Sequence, residues 1–93
     1  MGVMVRIPAP LRRLTAGQDK VTVDEDDLTG VIEALEGLFP GIKDRLCDDK
    51  GDLRNFVNVY VNGEDIRFLA GLQTRTETGD EVSIVPAVAG GRQ

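Results

Sequence analysis

At 93 residues, 41% of them hydrophobic and 29% charged, the chain has material for one compact domain and too little for two. A formal net charge of −5, with no block of Lys and Arg, argues against a partner held by its phosphate backbone, so no nucleic acid is expected. The lack of histidine removes the usual general base and zinc ligand, and a single cysteine, Cys47, removes internal disulfides and multi-cysteine metal sites; no metal is expected.

The opening segment, Met1 to Ile7, has no charged leader followed by a long apolar run, and no window approaches membrane-spanning length. A cytoplasmic protein without a membrane partner is expected. Val3, Val5 and Ile7 alternate with Met4 and Arg6, the period of a strand with one face on a core. Pro8 and Pro10 end it, Leu11 to Gly17 reads as a turn, and Val21 and Val23 alternate with Lys20, Thr22 and Asp24 in a second, antiparallel strand.

The run Asp24 to Asp27 has oxygen donors that suit calcium or magnesium, but it lacks the glycine and downstream glutamate of a calcium loop. The better reading is a helix start: Leu28, Val31, Ile32, Leu35 and Leu38 follow at helical spacing, with Asp26 or Asp27 as the cap and the other acids near the positive end of the helix dipole. Phe39 and the pair Pro40-Gly41 close that helix, which supplies the largest block of core. Ile42 and Leu46 suggest one further helical turn, ahead of a polar loop from Asp48 to Arg54. Cys47, at this boundary, reads as a small hydrophobe or free thiol, with no basic cluster near it in sequence to make it a nucleophile.

Phe56 to Val61, Asn62-Gly63 and Glu64 to Phe68 form the clearest local signal, a two-residue hairpin with the residues a type I′ turn prefers. Pairing across it sets Val59 opposite Ile66 and Val57 opposite Phe68 on one face, and Tyr60 opposite Asp65 and Asn58 opposite Arg67 on the other. After a looser stretch around Gly71 and Leu72, Thr78-Gly79-Asp80 turns the chain into a last strand whose inward residues are Val82 and Ile84, ending near Pro86.

Strand, strand, helix, hairpin, strand is the element order of a β-grasp: an α+β domain over residues 1–86, with a mixed four- to five-stranded sheet and one main helix across it. Residues 87–93, Ala87-Val88-Ala89-Gly90-Gly91-Arg92-Gln93, carry no periodic apolar pattern and read as a projecting tail. A Gly-Gly near a terminus is by itself a weak signal.

The stretches from Phe56 to Phe68 and from Gly79 to Gly91 make it stronger, because through them nearly the whole chain resembles the ThiS/MoaD-type family of ubiquitin-like sulfur carriers. Among its branches they look most like the carrier that serves a cysteine synthase, with the small subunit of molybdopterin synthase second and the thiamine-biosynthesis carrier also in the family. The resemblance implies a protein cosubstrate rather than an enzyme. Its working group would be the acyl carbon of Gly91, which an adenylating and sulfurtransferase enzyme activates with ATP and converts to a thiocarboxylate, for delivery to a sulfur-accepting synthase. No cofactor would be bound by the carrier itself.

Physical reasons accompany that implication. A free glycine carboxyl has a pKa of about 3.3 to 3.7, so at neutral pH it is an anion and a poor electrophile that needs activation. Gly90 and Gly91 lack Cβ atoms and let another backbone come close, Ala87 and Ala89 add little width, and Val88 offers one apolar foothold for a tail threaded into a channel. Arg92-Gln93 departs from the family pattern, in which mature carriers end on the second glycine. Cleavage between Gly91 and Arg92, by a metalloprotease of the kind that trims ubiquitin-like tails, is the expected resolution. On the sheet face away from the helix, Phe56, Tyr60 and Arg67 read either as a docking patch or as an ordinary solvated face. Two other classes stay open: a protein modifier conjugated to lysines through Gly91, and an interaction domain in which the tail has no role.

Overall fold

The computed structural model describes residues 2–86. Val3 and Val5 point to one side of strand β1 (Val3–Arg6) and Val21 and Val23 to the same side of strand β2 (Lys20–Val23), as a period of two requires; all four are buried. The strands pair antiparallel with Val5 opposite Val21 and Val3 opposite Val23.

The segment between them differs from the expected turn: Ala9–Thr15 is a 3₁₀ helix. Pro8 and Pro10 preset a helical φ and need no N–H partner in a first turn, while Leu11 and Leu14, three residues apart and so on one side of a 3₁₀ helix, pack against the core. Ala16 (φ 56°) and Gly17 (φ 84°) then reverse the chain, and the fully buried Thr15 donates its hydroxyl to the carbonyl of Gln18 at 2.7 Å.

Helix α1 (Leu28–Leu38) begins at Asp27, whose carboxylate accepts the N–H of Gly30 at 2.7 Å. The acidic run therefore starts a helix, and among the described residues no group of three His, Cys, Asp or Glu side chains is placed to hold a metal ion. Asp27→Ala removes one cap and is expected to lower the unfolding free energy by about 0.5–2 kcal/mol, read as a lower urea midpoint at unchanged slope.

Leu28, Val31, Ile32 and Leu35 are buried as expected, but Leu38 is 57% exposed. At about 100° per residue, Leu38 falls at the margin of the apolar stripe; Phe39, one residue on, returns to its centre and packs against the core in its place. Gly41, at φ 103°, turns the chain into the short helix α2 (Ile42–Leu46), whose Ile42 and Leu46 are buried. The Glu36 carboxylate reaches across to accept the N–H groups of Lys43 (2.9 Å) and Gly41 (3.1 Å), and these bonds hold its pKa below the usual value.

Asn62 (φ 52°) and Gly63 (φ 88°) join strands β3 (Val57–Val61) and β4 (Glu64–Asp65), both residues having the positive φ that a type I′ turn demands. Val61 pairs with Glu64 and Tyr60 with Asp65, and there the ladder stops. The expected pairs Val59–Ile66 and Val57–Phe68 do not continue it, because Ile66–Phe68 is a 3₁₀ turn. The Asp65 carboxylate accepts the N–H of Arg67 at 2.9 Å, a local bond that competes with the ladder and diverts the backbone. Ile66 still reaches the core, whereas Phe68 is left 87% exposed. A second 3₁₀ turn, Gly71–Gln73, packs Leu72 against the core.

Strand β5 (Glu81–Pro86) lies at the centre of the sheet, parallel to β1 and antiparallel to β3, in the order β2-β1-β5-β3-β4. The result is a mixed five-stranded sheet with α1 on one face, the expected β-grasp, plus a second short helix. No helix among the described residues is long and apolar enough to cross a membrane.

Candidate functional site

The described residues end on β5, directly ahead of residues 87–93 in sequence. Val82 and Ile84 are buried in the core, with Val82 beside Val5 on one side and Ile84 beside Val59 on the other, so the strand is held along both edges. Its last residue, Pro86, sits opposite Val57 at the start of β3. A proline has no N–H to give a ladder, and it is tolerated here because the strand ends. The last described residue is thus tied to a strand that is paired along both edges. The sequence-predicted tail residues Ala87, Val88, Ala89, Gly90 and Gly91, with the cleavage partner Arg92, lie outside the described residues.

Around Pro86 the surface is concave. A groove of about 530 Å³ runs between the 3₁₀ helix, α2 and the ends of β3 and β5. Its floor includes Leu11, Leu46, Val57 and Ile84, and Phe56, 47% exposed, lines it as well. Arg13, Arg45 and Arg54 also line it. These arginines come from three separated segments, and no linear spacing rule gathers them; only the fold does.

The predicted patch of Phe56, Tyr60 and Arg67 divides. Tyr60 stands on the outer sheet face between Ser83 and Asp65. Arg67 is bound to Asp65 at 3.1 Å and to the Asn58 side-chain oxygen, so Asn58 and Arg67 do meet, through side chains and not through a ladder. The Arg67 guanidinium holds the Asp65 carboxyl below its usual range, and Asp65 in turn raises Arg67. Arg67 borders a different groove, of about 450 Å³, from the one that Phe56 lines. Cys47 is buried, and desolvation raises its thiol pKa, which keeps it a neutral packing residue.

What the domain presents, then, is a secured strand end beside an apolar, arginine-bordered groove. The profile of the ThiS family matches residues 5–91. The sulfur carrier protein CysO of Mycobacterium tuberculosis is 50% identical over 93 residues, covering 98% of this chain and 100% of the relative. Among solved structures, the Amycolatopsis orientalis BexX/CysO complex contains a chain that superposes with a TM-score of 0.91 at 42% identity, covering 97% of this chain and 100% of that one. The small archaeal modifier protein 1 of Haloferax volcanii superposes with a TM-score of 0.79 at 34% identity, covering 96% and 98%. On this sequence match and this ubiquitin-like β-grasp architecture, the chain belongs to the ThiS family.

Proposed function

We propose that this protein is a sulfur carrier that works as a cosubstrate, with the acyl carbon of Gly91 as its reacting centre. The observation that carries this reading is the family match, which runs through the tail and ends on Gly91. Half identity over nearly the full length to a protein named as a sulfur carrier supports it further.

Cleavage of the Gly91–Arg92 bond by a tail-processing metalloprotease frees the Gly91 carboxylate. A partner enzyme activates it: a carboxylate oxygen attacks the α-phosphate of ATP, pyrophosphate leaves, and an acyl adenylate forms. The terminal sulfur of a persulfide then attacks the acyl carbon and AMP departs. A thiol takes up the donor's other sulfur as a disulfide, which leaves a thiocarboxylate on Gly91. Its sulfur is a far better nucleophile than the original carboxylate oxygen and passes to a sulfur-accepting synthase, of the cysteine-synthase type by resemblance, with molybdopterin synthase as the second acceptor. ATP belongs to the activating enzyme, and the carrier holds no cofactor.

One observation favours a second reading. The similarity to an archaeal modifier protein fits conjugation of Gly91 to lysines by the same activation chemistry. Intact mass of the protein purified from its native cells separates the two. A species lacking Arg92 and Gln93 and carrying sulfur in place of one oxygen is the expected result. Retention of both residues on the active protein defeats the carrier reading, and isopeptide-linked ladders in its place favour the modifier.

A further inference from the structure

Apart from Val88, the residues from 87 to 91 are Ala or Gly. Ala87, Ala89, Gly90 and Gly91 offer little apolar area, so binding energy for any enzyme that takes in this tail has to come mainly from the domain surface near its root. Reach narrows the choice of surface. Fully extended, residues 87–91 span at most roughly 17 Å, so an enzyme reacting with the Gly91 carboxyl must abut the domain around Pro86.

The groove of about 530 Å³ is that surface, since Pro86 itself lines it. Its apolar floor is bordered by Arg13 and Arg45, both exposed, and by the half-buried Arg54, whose Nε donates to the Asp44 carbonyl at 2.9 Å. Among the described residues none of the three arginines forms an ion pair, and the only acidic side chain lining the groove is that of Asp44. Three arginines lining one groove stand out in a chain whose net charge is −5. An acidic carrier that brings a carboxylate toward bound ATP is repelled as it approaches. A basic spot beside the tail root, met by carboxylates outside the catalytic pocket, offsets that repulsion and orients the encounter.

We propose that this groove is the docking site for the adenylating enzyme, which inserts an apolar side chain flanked by acidic residues: the apolar group onto Leu11, Leu46 and Ile84, the carboxylates onto Arg13, Arg45 and Arg54. The inference rests on the carrier reading and adds to it the surface and the chemistry of the partner.

The test is ATP–pyrophosphate exchange by the adenylating enzyme of the same cells, measured against the concentration of the chain ending at Gly91. Arg13→Glu/Arg45→Glu is expected to raise KM for the carrier about tenfold or more at low salt while leaving kcat, and the effect should shrink as ionic strength rises. Arg75→Glu, outside the groove, should leave KM near that of the unaltered chain. Unchanged thermal midpoints of the variants exclude unfolding as the cause. Equal KM for the groove variant and the unaltered chain overturns the docking site and leaves the carrier reading standing. Absence of exchange with the unaltered chain removes the carrier reading and this inference with it. Methyl resonances of Leu11 and Ile84 supply the remaining arm: they should shift when the enzyme is added. If they move instead on deletion of residues 87–93 and ignore the enzyme, the groove is filled by the chain's own tail and the proposal is overturned.

Discussion

Gly91→Ala, in a chain cleaved after position 91, is expected to lose about a hundredfold or more in the rate of adenylation and sulfur loading while its thermal midpoint stays where it was. A methyl group on the residue that bears the reacting carbon restricts φ and ψ and holds off the backbone of the enzyme. Displacement of a reacting atom by about 1 Å is enough to cost a factor of 10². The fold should not register the change, because position 91 follows β5, the last strand among the described residues, which ends at Pro86. Pyrophosphate exchange reads the first step and intact mass the sulfur-loaded product. Ordinary yields of both from Gly91→Ala would remove Gly91 as the reacting centre. The uncleaved chain provides a second, independent check: with its acyl carbon in an amide to Arg92, Gly91 should give no thiocarboxylate at all.

Those expectations are open to a linear reading because they rest on residue identity alone. The sheet was legible for a related reason. Val3, Val5, Val21, Val23, Val82 and Ile84 recur at every second position in their strands, and a period of two leaves one arrangement that buries them all on one face. Asn62-Gly63 fixed the hairpin turn through its positive φ values.

Beyond that turn, periodicity carried the pairing too far. Phe68 sits at a strand-like interval from Ile66, yet a single side-chain bond from Asp65 to the N–H of Arg67 ends the ladder before either residue. Such a local bond leaves no periodic trace. The 3₁₀ helix at Ala9–Thr15 was missed likewise, since a segment this short shows too few repeats to distinguish it from a turn. Leu38 and Phe39 exchanged roles because the last residues of a helical stripe straddle its margin, where a step of one residue decides burial. The groove was least accessible of all: Arg13, Arg45 and Arg54 become neighbours only when the 3₁₀ helix, α2 and the start of β3 close around Pro86.

Leu35→Ala carries the largest expected cost in stability. Leu35 is fully buried in the middle of the helix stripe, between residues of α1 that all face the sheet. Removing its isobutyl group forfeits the transfer energy of the lost methylenes and leaves a cavity that a rigid sheet cannot fill, about 2–5 kcal/mol together. Set against the roughly 5–15 kcal/mol that holds a small domain folded, this brings the variant close to unfolding at growth temperature. Leu38→Ala, on the same helix but at a position that is 57% exposed, should shift stability by no more than ~0.5 kcal/mol. Urea denaturation of the two variants measures the contrast, and equal midpoints would mean that α1 does not cross the sheet in this register. The pair also separates fold from function. If Gly91 is the reacting centre, pyrophosphate exchange per folded molecule should be alike for Leu35→Ala, Leu38→Ala and the otherwise unaltered chain, each ending at Gly91, at a temperature where all three are folded. A loss in Leu35→Ala beyond its folded fraction would show that the packing of α1 on β5 governs how the tail root is presented.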